Sequence, residues 1–510
     1  MSASTEKKQR QAAREAGTDK KLLAQQEEDK KRAKNRRNWI IGGIAIILVI
    51  AFTILLNTGF LYKSTTALTV GDSKYSPAEV NYYYGSQYLN FANQYGSYAS
   101  MFGLDVSGGI AGLRNQACPM MEDGTWRDYF LDLAEHDIVQ MKALTDYAAA
   151  NGITLDEDEL ASVNASFEGV DDYAKAQGFR NADALFAYNY GEGVDKKIVL
   201  DSSAAGALAN KAYNTKADSL EYTDEELEAF YQDSEGAYDV YDYAYYYVTA
   251  AVAEGAEAPD EVALTEAQAD ADAIVNAYKD GDDIEDLYER FEVAVESQTE
   301  QQPTHRSNAT ASGLSAVYSE WLTDSSRKAG DVSVQSDENG YYVVLFLDHS
   351  DNHYATVSVR HILIRAEASE DGSYSDAAKD AALARAEEIL AEYQAGEQTE
   401  ESFAALAEQY SEDEGSNTNG GLYEDIYKGE MVEEFDAFCF EGHQPGDVAI
   451  VYGESGSYAG YHVVYFVGEG ELYSNVIARG QKQSEDMSAW LEELESAYEP
   501  IHGGAYRYVG

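Results

Sequence analysis

Three pairs of short segments recur in the same order through the later part of this chain, and that repetition constrains its fold more than any other feature. Residues 271–281 (A-D-A-I-V-N-A-Y-K-D-G) return as 386–396 (A-E-E-I-L-A-E-Y-Q-A-G), an offset of 115. Residues 329–334 (A-G-D-V-S-V) return as 445–450 (P-G-D-V-A-I), and 340–347 (G-Y-Y-V-V-L-F-L) as 460–467 (G-Y-H-V-V-Y-F-V). Each copy opens on a strand-like run, Y-D-Y-A-Y-Y-Y-V at 241–248 and V-S-V-R-H-I-L-I at 357–364. Strand, helices, a strand after G-D-V and a last strand predict two tandem α/β units, each a small mixed sheet with helices packed on it.

The start of the chain is different in kind. Residues 1–38 hold twelve Lys or Arg against six acidic residues, a balance of +6, within a chain whose total is −56. Residues 39–56 (W-I-I-G-G-I-A-I-I-L-V-I-A-F-T-I-L-L) are uncharged. At about 1.5 Å per residue a helix of that length runs to roughly 27 Å, near the hydrocarbon thickness of a bilayer. Neither a small-x-small cleavage pattern nor a lipidation cysteine follows, so an uncleaved single span over 39–57 is expected rather than a signal peptide. Positive residues stay inside, which makes 1–38 a cytoplasmic tail and places the rest of the chain outside. An excess of 92 acidic over 36 basic side chains disfavours nucleic acid as a partner. Two cysteines, Cys118 and Cys439, make neither a disulfide scaffold nor a zinc site, and no cofactor is expected.

Between the apolar run and the repeats, residues 66–237 read as mainly helical. Helix starts are marked by Ser76-Pro77 with Glu79, by Thr154 with Glu157, and by Thr223 with Glu226. Trp126, Phe130, Leu133, Ile138, Met141 and Leu144 approximate one helical face that ends at Gly152. The aromatic stretch 82–95 (Y-Y-Y-G-S-Q-Y-L-N-F-A-N-Q-Y) suits either a surface that grips unfolded chains or a core stripe. After the repeats, Met487, Trp490, Leu491 and Leu494 predict a helix within the tail 473–510.

The second repeat carries further motifs: V-R-H-I-L-I at its start, F-A-A-L-A-E-Q-Y-S-E-D in its middle, then G-G-L, G-E-M-V-E-E-F and F-C-F, and G-Y-H-V-V at its end. Taken together over about residues 355–470, these resemble the parvulin, or PpiC-type, peptidyl-prolyl isomerase domain. With the anchor and helical block, the chain looks like a bacterial extracytoplasmic foldase of the PrsA and SurA type. The resemblance implies an α+β chain: a transmembrane helix, a helical chaperone domain at 66–237, a first parvulin-like module at 238–353, a parvulin domain at 355–470 and a C-terminal helix.

By position, the resemblance makes His361 and His462 the family's paired histidines and places Asp413 where parvulins carry cysteine or aspartate. Leu422, Met431, Phe435 and Phe440 fall on the family's proline pocket. Alternation sets Val357, Val359, His361 and Leu363 on one face of the first strand, and His462, Val464 and Phe466 on one face of the last. If those strands adjoin, the imidazoles share a hydrogen bond and fix each other's tautomers. A metal site at His361, His462 and Asp413 is the rival reading, with His443 the only obvious extra ligand. In the first copy the corresponding positions hold Tyr246 and Tyr342, so that module is expected to lack the site. The loop 367–380 carries Glu367, Glu370, Asp371, Asp376 and Asp380 against Lys379, which disfavours phosphorylated substrates. Partners are then unfolded or translocating polypeptides with X-Pro bonds and the lipid bilayer. The alternative is a holdase that uses both modules only to bind.

Overall fold

The computed structural model describes residues 3–17, 20–57, 59–234, 236–281, 283–369, 372–456 and 458–510, and their side chains apart from those of 20–23, 25–27, 29, 33, 51–57 and 97. It divides into two compact units, Met1–Leu220 with Asp486–Gly510, and Glu221–Glu485.

In the first unit the expected apolar run lies in the helix Lys20–Asn57. The last six residues of that run, 51–56, have side chains outside the description, and among the described residues no helix is long and apolar enough to cross a membrane. The helical block is built on Pro77–Tyr95, Trp126–Ala150 and Lys196–Asp218 with shorter helices between them. Ser76 and Glu79 close a reciprocal cap, with the Glu79 N–H donating to Ser76 Oγ and the Ser76 N–H to Glu79 Oε2, and Pro77 occupies the first helical position. The start expected at Thr154 lies two residues on: Asp156 caps Glu157–Ala165 together with Glu159, because a carboxylate three residues before a second acidic side chain accepts the orphan amide directly.

Of the tyrosine stretch, Tyr83, Tyr84 and Tyr88 are buried in a core with Trp126, Phe130 and Ile138, so the core reading applies to these three. Strands β1 (Leu68–Val70) and β2 (Ser73–Tyr75) pair antiparallel, and Pro500–His502 joins β1 on its other side. The tail helix runs Tyr473–Glu495, and its Trp490 ring meets Tyr147 and Tyr213.

The second unit contains both repeats. Strands β3 (Val240–Thr249), β4 (Thr304–Thr310), β5 (Val332–Ser336) and β6 (Gly340–Ser350) form one sheet in the order β4-β3-β6-β5. Strands β7 (Ala355–Arg365), β8 (Leu422–Ile426), β9 (Val448–Ser455) and β10 (Tyr458–Leu472) form the other in the matching order β8-β7-β10-β9. The sheets are antiparallel throughout rather than mixed, because β5–β6 and β9–β10 are hairpins and the first strand of each module runs against the last.

The repeated residues are those the fold needs. Ala271, Ile274 and Tyr278 on the helix Glu261–Asp280 are buried against the first sheet; Ala386, Ile389 and Tyr393 on Asp376–Ala395 are buried against the second. Each isoleucine, wholly buried, contributes about 1.5–3 kcal/mol. G-D-V forms the same corner twice. The Gly330 N–H donates to the Phe346 carbonyl and the Phe346 N–H to that of Asp331; Gly446, Phe466 and Asp447 repeat the pattern.

Asn352 joins the modules. Held at a positive φ of 58° and almost wholly buried, it donates from Nδ2 to the Tyr238 carbonyl (2.8 Å) and the Tyr231 hydroxyl (3.2 Å), and its carbonyl accepts from the Ser474 N–H (3.0 Å). Asparagine tolerates this left-handed backbone better than most residues.

Candidate active site

β7 and β10 lie side by side, with His361 opposite Val464 and Leu363 opposite His462. Period-two alternation therefore brings both imidazoles to one face, on adjacent strands and offset by two positions. Both are buried, their rings stack 5.2 Å apart at 19°, and the two Nδ1 atoms are 3.0 Å apart.

Two glycines make room for this pair. Gly421 sits at φ +71°, and a Cβ there would meet the His361 carbonyl oxygen at 2.2 Å; one on Gly453 would meet His462 Nε2 at 2.8 Å. The G-G-L segment lies tight against β7 for that reason, and the His361 N–H donates to the Gly421 carbonyl.

Asp413 follows the helix Glu400–Tyr410 in a loop that folds back on β7. Its Oδ2 lies 3.0 Å from His361 Nε2 and accepts from the hydroxyls of Ser416 (2.5 Å) and Tyr423 (3.1 Å). At the other end of the line the Tyr458 hydroxyl lies 3.0 Å from His462 Nε2. With both rings neutral, one assignment satisfies every contact: Tyr458 O–H donates to His462 Nε2, His462 Nδ1–H to His361 Nδ1, and His361 Nε2–H to Asp413. The electrostatics agree. Burial, reinforced by the neighbouring His361, pushes His462 down to about 3, while the His361 hydrogen bond, aided by Ser416, holds Asp413 well below the usual carboxylate range.

A cavity of about 260 Å³ opens beside the histidines, lined by His361, Asp413 and His462, by the apolar Leu363, Met431, Val432 and Phe435, and by Tyr423 and Tyr458. Of the four residues expected to hold a proline ring, Met431 and Phe435 line it. Leu422 and Phe440 do not. Leu422, on β8, pairs with Arg360 of β7, while the Phe440 ring packs on Tyr354 5.7 Å away. Sequence reasoning passed over Ser416, Tyr423 and Tyr458. Tyr458 alone carried a local signal, standing four residues before His462 on one strand and so on its face. His443 stacks on Phe438, 4.1 Å between centroids, outside this cluster. Cys118 and Cys439 are buried free thiols, and burial pushes the Cys439 thiol up to about 12. Asp376, Lys379 and Asp380 of the acidic segment belong to the helix Asp376–Ala395 rather than to a loop, and Glu370 and Asp371 lie outside the described residues.

In the first module Val344 lies opposite Tyr245 and Tyr342 opposite Tyr247, the pairings that Val464 makes with His361 and His462 with Leu363. Tyr245, not Tyr246, therefore stands in the place of His361. Tyr246 faces the helices, and Tyr245 and Tyr342 face each other at 5.9 Å between ring centroids. An offset of 115 holds for the helices but is one short for the first strand, and one residue reverses a strand's face.

Residues 341–468 match the family model described as the PPIC-type PPIASE domain, a match that begins inside β6. Foldase protein PrsA 1 of Listeria innocua is 33% identical over 151 residues, 28% of this chain and 44% of that protein. The PrsA 1 of Listeria monocytogenes is 32% identical over the same length. The chain thus spans less than half the length of these curated relatives. The crystal structure of PrsA from Bacillus subtilis aligns with 73% of this chain and 87% of its own at 13% identity, with a TM-score of 0.27, too low to bear on the fold. Residues 341–468 thus match the PpiC-type parvulin family, and over the 151 residues shared with those relatives the chain is PrsA-like.

Proposed function

We propose that the second module isomerises peptidyl-prolyl bonds and that the chain is a foldase anchored in the cytoplasmic membrane, serving translocated polypeptides on the far side. The observation that carries this reading is the hydrogen-bonded His361–His462 pair beside a small cavity walled by Met431, Val432 and Phe435. Rotating an imide bond means losing resonance against a barrier of about 18–20 kcal/mol, and no nucleophile is required. The apolar wall takes the proline ring and strips water from the preceding carbonyl. As the bond twists, the nitrogen lone pair withdraws from the carbonyl, whose oxygen becomes less negative. An ionised Asp413 wired through oriented neutral imidazoles opposes the planar state more than the twisted one, which lowers the barrier.

Residues 39–57 supply the anchor and 1–38 its cytoplasmic tail, a reading supported by the uncharged run and the basic cluster before it. The organisation proposed is a helical chaperone domain at 66–237, a site-less module at 238–353, the isomerase at 355–470 and a tail at 473–510. Turnover of a proline tetrapeptide by the protein tests the activity, with His462→Ala and Asp413→Ala as controls; equal rates in all three sink it. Alkaline extraction and protease accessibility in sealed vesicles test the anchor and its orientation.

The ring face of the first module favours a second role. Tyr245 and Tyr342, half-buried over the buried Tyr243 and Tyr318, present aromatic rings where the second module carries its histidine pair, a composition suited to holding chains without chemistry. Suppression of aggregation that survives His462→Ala would separate holding from isomerisation.

A further inference from the structure

The two modules differ along one edge. In the second, β7 beyond His361 is covered by the chain's own loop. The Leu363 N–H donates to Ser411 Oγ (3.2 Å), the Glu412 N–H to the Leu363 carbonyl (2.9 Å), and the Arg365 N–H to Glu412 Oε2 (2.7 Å). In the first module that loop is missing. The helix Leu287–Thr299 passes into β4 through residues 300–303 alone, and β4 follows β3 only as far as Tyr245 opposite Thr304. β3 runs on through Thr249, paired with β6 on its other side.

The Ala250 N–H donates to the Asn339 carbonyl on the β6 side, so alternation turns the backbone groups of Tyr247 and Thr249 to the open edge. Among the described residues nothing bonds those N–H and C=O groups. A cavity of about 410 Å³ lies along them, lined by Tyr246 to Thr249, by Asp270 and Ala273 on one helix, by Gln298 and Thr299 at the end of the other, and by Gln301 just past it.

We infer that this edge takes up an extended segment of unfolded polypeptide as a fifth strand of the first sheet. The occupant is indicated by the second module, where the same edge is filled by polypeptide that gives a main-chain N–H to the Leu363 carbonyl. Four backbone groups on alternate residues, about 7 Å apart along the strand, match three to four residues of an extended chain and read its main chain rather than its side chains. Asp270 beside the edge favours a basic residue in the segment over an acidic one. Proline cannot occupy the paired positions, having no N–H. This edge and the cavity at His462 would therefore take different segments of one client. The inference does not depend on isomerase activity, since no histidine of the pair takes part.

The test uses the whole protein and a blocked ten-residue peptide of valine, threonine and lysine. Saturating peptide slows amide hydrogen exchange at Tyr247 and Thr249 at least tenfold and leaves Val343 on β6 unchanged. Thr249→Pro, which removes one edge donor without removing an internal hydrogen bond, weakens binding at least tenfold. The same peptide N-methylated at successive residues does not bind the unaltered protein, a readout independent of how Thr249→Pro folds. Unslowed exchange at Tyr247 and Thr249, or undiminished binding of the methylated peptide, overturns the proposal.

Discussion

The two modules share strand order, corner hydrogen bonds and core positions, yet only the second holds the paired histidines and the carboxylate behind them. Three differences separate them: two side chains on neighbouring strands, a loop between helix and edge strand that is long in one and short in the other, and the helix Glu433–Phe440 where the first module has only Ser319–Leu322. That loop brings Asp413 and Ser416 to His361 and covers the edge of β7; its absence removes both at once. The fold and the site are thus separable, and a module stripped of its site keeps the architecture.

The comparison can be broken at several points. Phe291 and Phe403, wholly buried in corresponding cores, should each lose about 3–5 kcal/mol of stability on replacement by alanine, measured by urea unfolding. A markedly smaller loss for Phe291→Ala would mean that the first module is the less firmly packed. His462→Ala and Asp413→Ala should each lower kcat/KM on a proline tetrapeptide by about a hundredfold, near 2.7 kcal/mol of barrier, whereas Tyr342→Phe should leave it unchanged.

The pH response should also divide the modules. His462 is held neutral in the fold, so the unfolded chain binds its proton first. Stability is full above the ordinary histidine value and falls as pH drops from about 6.5 toward 3, at no more than about 1.4 kcal/mol per pH unit. Asp413, also held below its ordinary value, keeps its contribution above the usual carboxylate range and loses it as pH falls below that range. Urea unfolding at pH 7 and pH 5 should therefore show a larger loss in the wild type than in His462→Gln. The smallest effect is expected from Tyr245→His with Tyr342→His: without the loop that carries Asp413, turnover should not rise above the wild type.

The repeat was legible because its residues face the cores, where a two-residue error in spacing would turn Ile274 or Ile389 away from its sheet. The histidine pair was legible through strand alternation once the second repeat resembled a known family. Tyr245 was misplaced by one because the spacing between copies drifts with inserted loops, which short matched segments do not record. Ser416 and Tyr423 stayed hidden for another reason. Their positions depend on how a loop closes over β7, and neither helical nor strand periodicity reaches into a loop. Leu422 and Phe440, though apolar and close in sequence to Met431 and Phe435, are turned elsewhere by strand pairing and by packing on Tyr354.

The joint at Asn352 has its own consequence. A residue bonded to Tyr231, Tyr238 and Ser474 leaves the linker little slack, so β3's edge and the His361 cavity are kept at a set reach from each other. A polypeptide gripped at one of the two proposed stations would meet the other as a tethered neighbour, at an effective concentration set by the residues that must bridge the gap. On the two proposals above, the span of this joint would act as a ruler, favouring clients whose prolines lie one bridge-length from a strand-forming stretch.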